Sequence, residues 1–212
     1  MRPNEYQKEA LRTEHGMSKK YPRELNCILG IIGETGECID IYKKHMFQNH
    51  PFDVEHIIKE MGDVCWYLAV LADAVDIPLE QCVISTHFQY KPETEKIIDE
   101  IRIQRSLSNF FMLYEMVFNL TSKVNEYSSA KRLCSISDIT EHERKELEPT
   151  FKKRIDKIVD YIEKALKILL ETACMFGYSL EEVCMKNVEK LRARYPEGFD
   201  TERSLHRKEG DI

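Results

Sequence analysis

The sequence predicts an all-α protein built as a helical bundle. Three observations carry this. Apolar residues recur at helical spacing along most of the chain, alternation of β-branched residues is nearly absent, and the few Gly (8) and Pro (7) fall mostly at the ends of the periodic segments.

Taken in order, a first helix is expected from about Asn4, a good N-cap, to about His15, closed by Gly16. Pro22 precedes a second helix, Arg23 to Phe47, with glycines at 30, 33 and 36. Glycine costs helix stability, so close packing or room for a ligand must favour these three. Asp53 caps a third helix reaching about Val75, and Pro78 suits the first turn of a fourth that runs to about Tyr90. Pro92 opens a helical stretch to about Ser128. Residues 129–148, polar and charged, read as a long connection, and Pro149 starts a helix to Phe176 that Gly177 ends. Ser179-Leu180-Glu181-Glu182 is a capping box for a last helix to Arg194, and the tail from Pro196 is expected to be irregular.

Composition excludes some classes of function. Lys+Arg is 31 against Asp+Glu 37, a net charge of −6, so no stable binding to nucleic acid is expected. No apolar run approaches the roughly 20 residues of a membrane span, and Met1-Arg2-Pro3-Asn4-Glu5 lacks a signal peptide's apolar core. Seven scattered cysteines without a CxxC pair suit a reducing compartment, and a cytoplasmic location is expected.

Chemistry concentrates in two segments. Glu34-Thr35-Gly36-Glu37 and Glu60-Met61-Gly62-Asp63 each carry two carboxylates at i and i+3, which share one helix face, and each pair sits in apolar sequence. Acids on such a face need something positive to meet them, or else remain half-buried without a partner. Glu34, Glu37, Glu60 and Asp63 together make an all-oxygen ligand set, which favours Mg²⁺, with Mn²⁺ as a substitute, over zinc or iron. Di-iron bundles use Glu-x-x-His pairs, and the sequence has none.

A weak internal repeat is also visible. Asp76-Ile77-Pro78-Leu79-Glu80-Gln81 resembles Gly177-Tyr178-Ser179-Leu180-Glu181-Glu182 at an offset of 101, and the helix of Glu34 matches 109–127 at an offset of 85. The second copy then has Asn119 and Ser122 for Glu34 and Glu37, and Tyr161 and Lys164 for Glu60 and Asp63. The expected organisation is one all-α domain: a metal-binding repeat over 1–90, a degenerate repeat with a basic C-terminal helix over 91–195, and a tail over 196–212.

Five blocks in order resemble the MazG-like all-α nucleoside triphosphate pyrophosphohydrolases, whose superfamily includes the dimeric dUTPases and dCTP pyrophosphatases. They are Asn4 to Lys8, Leu29 to Cys38, Tyr42 to His45, Lys59 to Ala69 and Asn187 to Phe199. The chain departs from single-repeat relatives by about 95 residues inserted before the last block. Relatives pair two chains into one bundle, so the resemblance implies a pseudo-dimer fused within one chain, with one working site; it leaves a homodimer of the fused chain open.

The activity implied is Mg²⁺-dependent cleavage of (d)NTPs between the α- and β-phosphates, giving (d)NMP and pyrophosphate, for nucleotide pool control or house-cleaning. Glu34 or Glu37 would accept the proton of the attacking water. Asn187, Lys190 and Arg194, on one stripe of the last helix, could reach the triphosphate, with Lys43 and Lys44 similarly placed. Tyr67 could bond the sugar or phosphate, or be a core tyrosine. Trp66 reads as packing, and His45 and His50 as surface residues. A dUTPase or dCTPase of narrow base specificity, or a regulatory bundle with relict catalytic residues, are the alternatives.

Overall fold

Residues 68 to 72 are fully buried without interruption, and a helix apolar all round must be enclosed by others. That helix is α3 (Val54–Ala74), and it is the centre of the bundle in the computed structural model, which describes residues 1–14, 20–92, 98–134, 141–200 and 202. Helices α1 (Pro3–Arg12), α2 (Arg23–Gln48), α6 (Glu141–Met175) and α7 (Leu180–Arg194) pack on it. Helix α5 (Glu100–Cys134) lies against α2 and α6, and a four-residue helix, α4 (Ser85–Phe88), follows α3. The described residues contain no strand, so the chain is all-α.

Helices α2 and α3 form a hairpin. Asn49 ends α2 in the left-handed region (φ 58°), and Asp53 opens α3, its carboxylate accepting from His56 N at 3.0 Å. Helices α2 and α5 run antiparallel, tied by Tyr42 Oη donating to Ser106 Oγ (2.8 Å) near one end and Lys131 Nζ to Glu24 (3.1 Å) near the other. Gln7 fastens α1 to the end of α3: its amide donates to Ala69 O (3.2 Å) and Ile77 O (3.0 Å), and its oxygen accepts from Leu79 N (3.1 Å).

Five expectations are corrected. Asn4 is not the N-cap of α1, which starts at Pro3; its side chain instead bonds the backbone and carboxylate of Glu80. The expected fourth helix is a 3₁₀ turn, Leu79–Gln81, followed by α4, with Ile84, β-branched and extended (ψ 140°), dividing the two; Gln7 and Asn4 cap the N–H groups of Leu79 and Glu80 at its start. Helix α5 continues past Ser128 to Cys134. Helix α6 begins at Glu141, with Pro149 inside it, so most of the expected polar connection is helical. Strong helix formers over 143–148 outweigh the cost of an exposed proline. Helix α1 ends at Arg12 with Thr13 as its C-cap, short of the expected His15, because Thr13 Oγ1 and N–H both turn back to Ala10 O; the expected closing Gly16, part of the stretch after Pro92 and most of the tail lie outside the described residues.

The ends of α3 and α6 close alike. Asp76 (φ 61°) and Gly177 (φ 77°) are left-handed; Ile77 N bonds Ala72 O (2.9 Å), and Tyr178 N bonds Ala173 O (3.0 Å). Each residue of the second closure lies 101 positions after its equivalent in the first, the offset read from the sequence.

Candidate metal and phosphate site

Helices α2 and α3 bring Glu34, Glu37 and Glu60 together, one carboxylate oxygen of each lying within 4.8 Å of the others. They line a cleft of about 300 Å³ with Asp63, Trp66, Tyr67, Lys190 and Arg194. Glu60 is buried (2% exposed), Glu34 half-buried and Glu37 exposed, so the cluster runs from the core to the mouth.

The electrostatics follow from that gradient. Burial, then the charges of Asp63, Glu37 and Glu60, push the Glu34 carboxyl up to about 8. Burial, then Asp63, also raises Glu60 above the usual carboxylate range. Glu60 Oε1 lies 3.0 Å from His56 Nε2, one helical turn earlier. His56 was not read from the sequence, although its i, i+4 spacing to Glu60 was available there.

Asp63 stands apart from the three glutamates. One of its oxygens accepts from Asn187 Nδ2 (2.7 Å), and the other is bound by the Lys190 ammonium. The amide oxygen of Asn187 in turn accepts from Tyr6 Oη (3.2 Å), which also reaches Gly62 O (3.3 Å). Asn187 is 1% exposed, so it faces Asp63 and not the cleft. Tyr6 belongs to α1 and signalled no such role in the sequence.

Glycines on both sides fix the walls. A Cβ at Gly30 would lie 2.2 Å from the Tyr67 ring, so this glycine admits the ring against α2. A Cβ at Gly62 would meet Asn187 Cβ at 2.8 Å, so this one lets α7 approach α3 closely. Gly33 and Gly36 have no side-chain neighbour within 4 Å and serve no internal packing.

Trp66 Nε1 donates to Ala10 O (3.0 Å) and Thr13 Oγ1 (3.1 Å), so its ring packs α1 on α3 while one edge borders the cleft. Tyr195 and Phe199, with ring centres 5.2 Å apart, form the far side; sequence reading assigned them no part. Lys43 and Lys44 are exposed and paired with Asp40, outside the cleft lining. His45 Nδ1 lies 2.9 Å from His50 O, at the α2 terminus.

Chemically, the cleft brings hard oxygen ligands together with a lysine, an arginine and aromatic rings in one lining. Such a donor set suits a divalent cation of the Mg²⁺ type together with an anionic ligand. Comparison of the chain with protein-family models, with curated proteins and with solved structures gave no match.

Proposed function

We propose that this cleft is the active site of a Mg²⁺-dependent nucleotide pyrophosphohydrolase, cleaving (d)NTPs between the α- and β-phosphates to (d)NMP and pyrophosphate. The observation that carries the reading is the meeting in one cleft of Glu34, Glu37, Glu60 and Asp63 with Lys190 and Arg194, which lie more than 120 residues further along the chain. A helical bundle has no evident structural use for three carboxylates within 4.8 Å of one another.

Glu34, Glu37 and Glu60, with Asp63 beside them, are the residues to hold Mg²⁺, or Mn²⁺ in its place. Bound there, the cation supplies neutralisation and orientation of phosphate oxygens for in-line attack. Lys190 and Arg194, in the cleft lining, bind the phosphates as a point charge and as a forked donor. Glu34 or Glu37 takes the proton of the attacking water. Tyr67, Tyr195 and Phe199 offer apolar surface to the nucleoside. The identical closures of α3 and α6, 101 residues apart, support a fused repeat whose second copy has lost its ligands.

The test is incubation with a panel of NTPs and dNTPs plus Mg²⁺, with products resolved by chromatography. Monophosphate plus pyrophosphate is expected, and the ranking of bases separates a broad enzyme from a dUTPase or dCTPase. Nucleoside diphosphate plus orthophosphate, or no turnover, overturns the proposal.

A further inference from the structure

Helix α5 buries one face against α2 and α6 and leaves an unusual one outside. Phe111, Tyr114 and Phe118, at i, i+3 and i+7, are 58%, 50% and 74% exposed. A surface helix ordinarily carries charged and polar groups there. On the neighbouring α2, Leu29 is 60% exposed, and Gly33 and Gly36 present bare backbone with nothing within 4 Å of a would-be Cβ. Both groups lie between the Tyr42–Ser106 and Glu24–Lys131 bonds that hold α2 and α5 antiparallel, and none of them lines the carboxylate cleft.

We infer that the outward side of the α2–α5 pair is a homodimer interface, occupied by the same face of a second copy of this chain. The first argument is area. At 150–250 Å² per large side chain, Leu29 and the three α5 aromatics leave on the order of 500 Å² exposed per copy. That is more than half of the about 800 Å² that each partner contributes to a standard interface. Half-buried Ile32, Ile39 and Leu107 and the glycine backbone can supply the rest.

The second argument is shape. A two-fold interface must be complementary to itself. This face carries an aromatic ridge on α5 beside a glycine shelf on α2, so a two-fold axis between them seats each ridge on the other copy's shelf.

Sedimentation velocity on the full chain, from about 1 to about 100 µM, tests this without reference to catalysis. Wild type is expected to be dimeric over most of that range. Phe118→Glu should weaken association at least about 30-fold, as for an interface hot spot, with helicity unchanged. Gly33→Leu fills the shelf; as an exposed helical substitution it should favour the monomer's fold, yet it too should shift the chain toward monomer. A wild type that is monomeric throughout overturns the inference. So does a wild-type dimer that either well-folded variant leaves equally tight.

Discussion

Replacing Glu34 by Gln should stabilise the chelated protein at alkaline pH while removing its response to Mg²⁺. The Glu34 carboxyl lies at about 8 against an ordinary 4.5, and burial is the main cause. Between those values the folded chain keeps a proton that the unfolded chain has lost. Fewer protons bound to the unfolded state means that stability falls as pH rises. This contribution is therefore intact below about pH 4.5, declines through the window and is fully lost above about pH 8. At about 1.4 kcal/mol per pH unit the ceiling is near 5 kcal/mol, and screening of a half-exposed group reduces it to about 2 kcal/mol. Asp40, lowered to about 2 by Lys43 and Lys44, acts below this window and does not blur it. The assay is urea unfolding followed by circular dichroism in chelator at about pH 5 and about pH 8, then in Mg²⁺. Wild type should lose stability between the two pH values, whereas Glu34→Gln should lose less and exceed wild type by about 2 kcal/mol at the higher one. Mg²⁺ at a hundredfold over its dissociation constant should restore about 2.7 kcal/mol to wild type and little to the variant. A variant less stable than wild type at about pH 8, or a wild type whose stability rises through the window, would refute the reasoning.

Two further substitutions test how the cleft is built. Gly30→Ala gains about 1 kcal/mol of helix propensity but drives a Cβ into the Tyr67 ring; a net loss of about 1–2 kcal/mol in thermal or urea unfolding is expected, recovered by adding Tyr67→Leu. Asn119→Ala and Lys164→Ala, on exposed or half-exposed positions of α5 and α6, should leave calorimetric Mn²⁺ binding within about twofold of wild type, whereas Glu37→Gln and Asp63→Asn should weaken it at least about tenfold. Equal losses from both sets would contradict a single working site.

The parts of the fold that were legible in the sequence have local chemical causes. Asp53 opens α3, the Ser179–Glu182 box opens α7, and Gly177 follows the end of α6, each satisfying backbone groups that a helix end leaves free. The parts that were not legible depend on other elements. Nothing between 79 and 90 reveals that Asn4 and Gln7 will bond the N–H groups of Glu80 and Leu79 and tie this segment to α1. Polar composition around Pro149 imitates a loop, although α6 runs through it. The same division holds at the site. The i, i+3 spacing placed the carboxylates on facing helices, and the structure brings three of them together. The bonds from Tyr6 through Asn187 to Asp63 require α1, α3 and α7 to be docked first, so no short stretch of sequence could disclose them.

That docking explains how residues so distant in sequence can act as one surface. Gly62 occupies the turn of α3 between Glu60 and Asp63, and its missing side chain is what lets Asn187 lie against the helix. Asn187 and Lys190 are three apart on α7 and share a face, so the position of the first fixes the reach of the second. Tyr6 holds Asn187 from the other side, and Arg12 Nη1 secures the end of α7 through Tyr195 O at 2.8 Å. A side chain at 62 would move α7 away from α3, and the Lys190 contact to Asp63 would be the first to lengthen. The acidic cluster could survive that shift, since Glu34, Glu37 and Glu60 belong to α2 and α3 alone. The basic groups of α7 could not, because their distance from the cluster is set by the absence of a side chain at Gly62.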